Sequence, residues 1–187
     1  MATQEIAGGL VRSVTTSIAA GTSEPVSFLD LINFTHTDEE MGQELQAIAK
    51  GVRETLERDL ELALVVQTIT VDYDGPADEL RLPRIPFVSL TTVKERLQGV
   101  LQADIASQYY VIGDRLRRTD AAALISGATL QVVYQAGYTA APEDIKHQIK
   151  VLSSTRFDLR EETVEGKVAR QIPGAGLDAL RHYRRYY

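Results

Sequence analysis

The stretch Val132–Lys150, VVYQAGYTAAPEDIKHQIK, decides how this chain is read. It opens with β-formers and breaks at Ala136-Gly137-Tyr138, where Gly137 permits a backbone turn that a Cβ would hinder. It restarts as a helix at Pro142, whose fixed φ suits a first helical position, with Glu143 and Asp144 at the positive end of the helix dipole. Ile145, Ile149 and Leu152 then recur at helical spacing. This strand–turn–helix junction contains no nucleophile, metal cluster or phosphate loop, so its residue types point to scaffold rather than chemistry.

Outward from the junction, the preceding strands carry the period-two signal. Val65, Gln67, Ile69, Val71 and Tyr73 fall on one face of a strand, and Val66, Thr68, Thr70 and Asp72 on the other. Asp74-Gly75-Pro76 is a turn, LPRIP (82–86) an extended link, and FVSLTTVKERL, SQYYVIG and ATLQVVYQA further strands. Upstream, Ser27 caps a short helix, FLDLINF. TDEEMGQELQAIAKGVRETLERDLE is the strongest helix, with Thr37 and Glu40 as a capping box. Its apolar stripe is Met41, Leu45, Ile48, Val52 and Leu56. Gly42 and Gly51 each weaken it by about 1 kcal/mol relative to Ala. The reading is α+β: a helical bundle, with a long N-terminal helix and C-terminal helices, interrupted by an inserted block of short antiparallel strands. The expected parts are a mobile arm over 1–25, a domain over 26–172, and a hinge and tail over 173–187. Within the domain the helices span 27–34, 38–60 and 142–160, and the β-rich insertion 63–136.

The chain has 187 residues, a net charge of −6 and no cysteine, which excludes disulfides, thiolate metal sites and a cysteine nucleophile. No apolar run approaches the roughly 20 residues that span a bilayer, so no membrane partner is expected. His36, His147 and His182 belong to no metal-binding spacing and read as solvated or structural. VDYDGPADE lacks the spacing of a calcium loop and reads as a hairpin turn. Gly8-Gly9 and Gly174-x-Gly176 follow no strand of a dinucleotide fold, and Glu57/Asp59/Glu61 and Glu161/Glu162 read as solvated faces. No catalytic residue, metal ligand or cofactor site is assigned.

The C-terminus is different. An acidic chain ends in RHYRRYY, with three arginines, three tyrosines and no acid. Tyr and Arg are enriched where proteins dock. Leu177, Leu180, Arg181, Tyr183, Arg184, Arg185, Tyr186 and Tyr187 are therefore read as a docking peptide, with Pro173, Gly174 and Gly176 as the hinge that lets it reach.

Taken in order, PVSFLDLINF, the long acidic-started helix, LRLPRIPFVSLTTVKERL, LQVVYQAGYTAAPEDIKHQIK and PGAGLDALRHYRRYY resemble the head–tail connector (adaptor, or head-completion) proteins of long-tailed bacteriophages and gene transfer agents. The resemblance covers residues 26–187. It departs at RDLELALV, which lacks the usual Tyr-Thr-Gly-Arg corner, and in a third helix more polar than the family's. It implies a non-enzymatic ring of about a dozen copies, made in the host bacterial cytoplasm and placed in the virion neck. Its implied partners are the portal protein, docked by the C-terminal tail, a stopper or tail-completion protein, and genomic DNA sliding through the channel without sequence recognition. Two other classes stay open on residues alone: a carboxylate-based, metal-dependent hydrolase, and a small DNA-binding protein using the basic tail.

Overall fold

The computed structural model describes residues 10–19, 23–74, 79–119, 129–164 and 180–183. The chain forms two compact units, Met1–Gly21 with Val66–Tyr138 and Thr22–Val65 with Thr139–Tyr187.

The described residues of the first unit form eight strands and one 3-10 turn, Ala106–Gln108. Its strands are β1 (Leu10–Ile18), β2 (Gln67–Asp74), β3 (Glu79–Arg81), β4 (Phe87–Leu97), β5 (Val100–Asp104), β6 (Tyr109–Ile112), β7 (Arg115–Arg118) and β8 (Thr129–Ala136). They build a five-stranded sheet, β1-β2-β8-β4-β5, and a three-stranded sheet, β3-β7-β6, and every pairing is antiparallel. Period two dictates which side is dry. In β2, Gln67, Ile69, Val71 and Tyr73 are buried; in β8, Leu130, Val132, Tyr134 and Ala136 are. Register aligns Val14, Val71, Val132 and Val93 in one row across four strands, and side chains opposite one another on one face are the unit of sheet stabilisation. Leu80 and Leu116, paired across β3 and β7, give the smaller sheet a fully buried centre.

The LPRIP segment binds to this core by its backbone. The Tyr134 hydroxyl donates to the Arg84 carbonyl and accepts from the Arg84 N–H, both at 3.1 Å. The Tyr73 hydroxyl donates to the Arg81 carbonyl at 2.7 Å. Gly137, at φ 139°, donates its N–H to the Pro86 carbonyl at 2.9 Å, and the Ile85–Pro86 peptide is cis. Junction and link are thus joined.

The second unit carries α1 (Phe28–Thr35), α2 (Glu39–Leu60) and α3 (Glu143–Val164). Ser27 caps α1, its side chain accepting from the Asp30 N–H at 3.1 Å. The predicted Thr37/Glu40 capping box does not form. Asp38 is the N-cap of α2, without a side-chain cap bond, and Thr37 instead donates to the Thr35 hydroxyl. Leu45, Ala49, Val52, Leu56 and Leu60 are the buried row of α2, whereas Met41 is exposed. Gly42 has a packing role: a Cβ there would lie 2.4 Å from the Phe28 ring, so its absence seats α1 on α2.

α2 ends at Glu61 in the left-handed region (φ 57°), and Leu62, Ala63, Leu64 and Val65 after it are buried. Buried loop backbone needs partners. Glu57, read from sequence as part of a solvated face, is buried and supplies one: its carboxylate accepts the Leu64 N–H at 2.7 Å and Arg53 Nη1 at 2.6 Å. Arg53, fully buried, also donates through Nε to Glu24 at 2.7 Å.

The expected helical bundle with a long N-terminal helix and an inserted β block is overturned. Among the described residues there are three α-helices and eight strands in two antiparallel sheets, with helix and strand about equal in extent. The reason lies partly in Leu10–Ile18. Its small polar residues read as arm, but Val11, Val14 and Ile18 fall opposite Tyr73, Val71 and Gln67 and make it a strand. Because β1 belongs to the same sheet as β2 and β8, the β unit draws on two stretches of the chain, and both units are discontinuous in sequence.

Two substitutions test these networks by chemical denaturation. Arg53→Ala strands a buried Glu57 charge and is expected to cost about 3–5 kcal/mol. Tyr134→Phe keeps the ring but removes both bonds to the Arg84 backbone and should cost about 1–3 kcal/mol.

Candidate docking site

The sequence points to the C-terminus, and the structure describes four of its residues, Leu180–Tyr183, within the helical unit. Leu177, the hinge residues Pro173, Gly174 and Gly176, and Arg184, Arg185, Tyr186 and Tyr187 lie outside the described residues.

The receiving surface is the start of α3. The Pro142 carbonyl accepts the Lys146 N–H at 3.0 Å, so Pro142 stands just ahead of the helix, where a missing N–H costs nothing. Ile145, Ile149, Ser153 and Phe157 form the buried row of the helix; Ser153 takes the place predicted for Leu152, its hydroxyl donating to the Ile149 carbonyl at 2.6 Å. Asp144 and Glu143 occupy the first turn, where carboxylates suit the dipole.

Arg181–Tyr183 form one 3-10 turn, closed by the Tyr183 N–H on the Leu180 carbonyl at 3.0 Å. Leu180 is fully buried. The Tyr183 hydroxyl donates to Asp144 Oδ1 at 2.9 Å, and His182 Nε2 lies 3.2 Å from Oδ2. The His182 and Tyr183 rings sit 4.2 Å apart, so both reach the same carboxylate from one side. Arg181 and His182 are exposed and Tyr183 is half-buried. Burial alone would raise the Asp144 pKa. The hydrogen bonds from Tyr183, the Ile145 N–H and His182 outweigh it and hold the carboxyl below its ordinary range.

Sequence reasoning placed Leu180, Arg181 and Tyr183 in a docking peptide and missed Asp144 as the carboxylate that holds Tyr183 and His182. A carboxylate in a first helical turn has a local explanation already, and nothing in its spacing announces a partner 38 or 39 residues away. The other histidines have local roles: His36 is the left-handed C-cap of α1, and His147 meets Phe34 edge-on at 6.0 Å between ring centres. Asp72 accepts from Ser13 and Gln131 at 2.9 and 3.1 Å across the sheet. Among the described residues no group of three His, Asp or Glu side chains is placed to hold a metal ion, and no helix is long and apolar enough to cross a membrane.

No protein-family model and no curated protein matches this sequence. Solved structures do. A chain in the neck of an empty gene transfer agent (GTA) particle, computed with C6 symmetry, matches with a TM-score of 0.75 at 15% identity. One in the virion of a native GTA particle matches at 0.74 and 14%, and one in the neck of a native GTA particle computed with C12 symmetry at 0.65 and 16%. Each match covers 94% of this chain and 97% of the other. At such identities the likeness is one of fold, and it extends over both units.

The Asp144 contact has a pH signature. A carboxyl whose folded pKa is depressed contributes stability above its unfolded value, about 3.9, and loses it as pH falls through the folded value. Hydrogen exchange should therefore find the Leu180–Tyr183 amides protected above about pH 4, with protection falling away below it. Asp144→Asn should flatten that response.

Proposed function

We propose that this chain is a structural, non-catalytic component of the neck of a tailed-phage-like or gene transfer agent particle, acting as the head–tail adaptor. The supporting observation is the fold, matched almost end to end with chains of GTA neck and virion structures. In this reading about a dozen copies close into a ring under the portal by heterologous contacts. The ring extends the DNA channel, completes the filled head and presents a surface to a stopper or tail-completion protein. An acidic chain suits a conduit, because surfaces of like charge to the phosphates do not retain DNA.

The C-terminal segment is assigned to the portal. Tyr183 roots it on α3 through Asp144, Leu180 beside it is buried, and exposed Arg181 opens the contact surface. Arg184, Arg185, Tyr186 and Tyr187 carry the contact onward, with Leu177 also in the segment and Pro173, Gly174 and Gly176 as its hinge. Arg and Tyr supply the charge-assisted bonds and rigid aromatic area that dominate protein–protein anchors.

Sedimentation of the purified chain, alone and with the portal protein of the same genome, tests both parts. A portal-dependent shift or a ring-sized species is expected. Deleting residues 184–187 should leave a folded chain whose affinity for the portal falls at least about tenfold, which corresponds to 1.4 kcal/mol. Unchanged binding by the truncated chain would remove the tail from the interface.

A further inference from the structure

The apolar row of the five-stranded sheet runs off its edge. Val71, Val132 and Val93 are fully buried, but Val14, next in the same row on β1, is 41% exposed. Val11 and Ile18 flank it at 40% and 39%. Register puts all three on the core side of the sheet, opposite Tyr73, Val71 and Gln67. Every residue from Val11 to Ala19 is exposed, so β1 is bare on both faces.

Natural proteins protect such an edge with lysine, proline, a bulge or a cover. The bulge in β1 lies between Val11 and Ser13, at one end. From Ser13 to Ala19 the sequence SVTTSIA has no charge, proline or glycine. Among the described residues, this is a long edge, uncharged from Ser13 onward, with an apolar row beneath it, and it has the features of a contact surface.

The opposite edge of the same sheet is β5, likewise exposed at every residue, with Val100 at 63% and Leu101 at 41%. A cyclic ring needs two different surfaces on each copy, because each contact is heterologous. A two-fold dimer would need one surface only. The β unit supplies two, at the two ends of one sheet, and each exposes apolar side chains that its own copy leaves uncovered.

We propose that β1 is a seat for a second copy of this chain, its Val11–Val14–Ile18 row packing against the β5 edge, Val100 and Leu101, of the neighbour. This rests on the ring reading above and names its subunit contact.

The absence of native cysteine makes the test direct. In full-length chain brought to assembly conditions with the portal protein, Val14→Cys and Leu101→Cys are combined in one chain and treated with a short bismaleimide. Sedimentation is run on the same samples. A ladder extending past dimers from the double variant, with neither single variant cross-linking, is the expected result. Dimers from Val14→Cys alone would mean that β1 pairs two-fold with itself, and the proposal falls. Rings in sedimentation without a ladder would leave the ring reading intact and overturn this contact. No ring with or without portal protein would overturn both. A second variant, Val14→Lys with Ile18→Lys, places charges at side chains already about two-fifths exposed. Its circular dichroism should be unchanged, and the concentration at which rings form should rise at least about tenfold. Ring formation at the original concentration by that folded variant would equally overturn the proposal.

Discussion

Two buried tyrosine hydroxyls govern the β unit. Tyr73 and Tyr134 are fully buried on adjacent strands, and a phenol so placed must find a partner. Both find backbone in the same four-residue span, Tyr73 at the Arg81 carbonyl and Tyr134 at both polar groups of Arg84. That span leads from the smaller sheet into β4 of the larger one. The hydroxyls therefore do more than satisfy themselves: they fix where the chain crosses from one sheet to the other. The Phe87 ring stacks on Tyr134 at 6.3 Å, and the Gly137 N–H reaches the Pro86 carbonyl. An irregular segment containing two prolines, which cannot donate to a ladder, is thereby held as firmly as a strand.

The helical unit meets the same demand with charge. The α2 exit turns through a left-handed Glu61 and buries four consecutive apolar residues, which drags backbone N–H groups out of water. Glu57 takes one of them, and a carboxylate so buried then requires a cation. Arg53, one helical turn earlier, is that cation, and Glu24 takes its remaining strong donor direction. The chain of need runs from an apolar corner to a buried acid to a buried base. It joins the segment before α1 to the end of α2, which helix packing alone would leave free to fray.

Legibility from sequence followed the range of the interaction. Ser27 as a cap, the alternation of β2 and β8, and the turn at Gly137 depend on neighbours within a few residues. Thr37 and Glu40 also have capping-box spacing, yet the Thr37 hydroxyl donates back to Thr35 and the helix starts one residue later, from Asp38. Glu57 resisted reading because its burial is decided by a corner beyond the helix. Leu10–Ile18 resisted because its β-formers sit among small polar residues, and its partner strand is about fifty or more residues on. That strand changes the architecture: with β1 in the sheet, what local patterns suggest is an inserted block becomes one of two discontinuous units. At the C-terminus, composition singled out the residues, and only the fold could bring Asp144 to Tyr183.

That pairing divides the C-terminal segment by physics as well as by sequence. Leu180 is held by burial and Tyr183 by a carboxylate whose ionised form its hydroxyl stabilises, so in the proposed docking role ordering these two residues would cost little further conformational entropy. A docking peptide free along its whole length would lose that entropy on binding for every residue it immobilised. Anchoring its root on α3 shortens the portion that must be ordered and sets the point from which Arg184 onward departs. The same economy explains why a junction without chemistry is built so carefully. Pro142 starts the helix that carries Asp144 in its first turn, and Asp144 holds His182 and Tyr183 of the chain's basic, aromatic end.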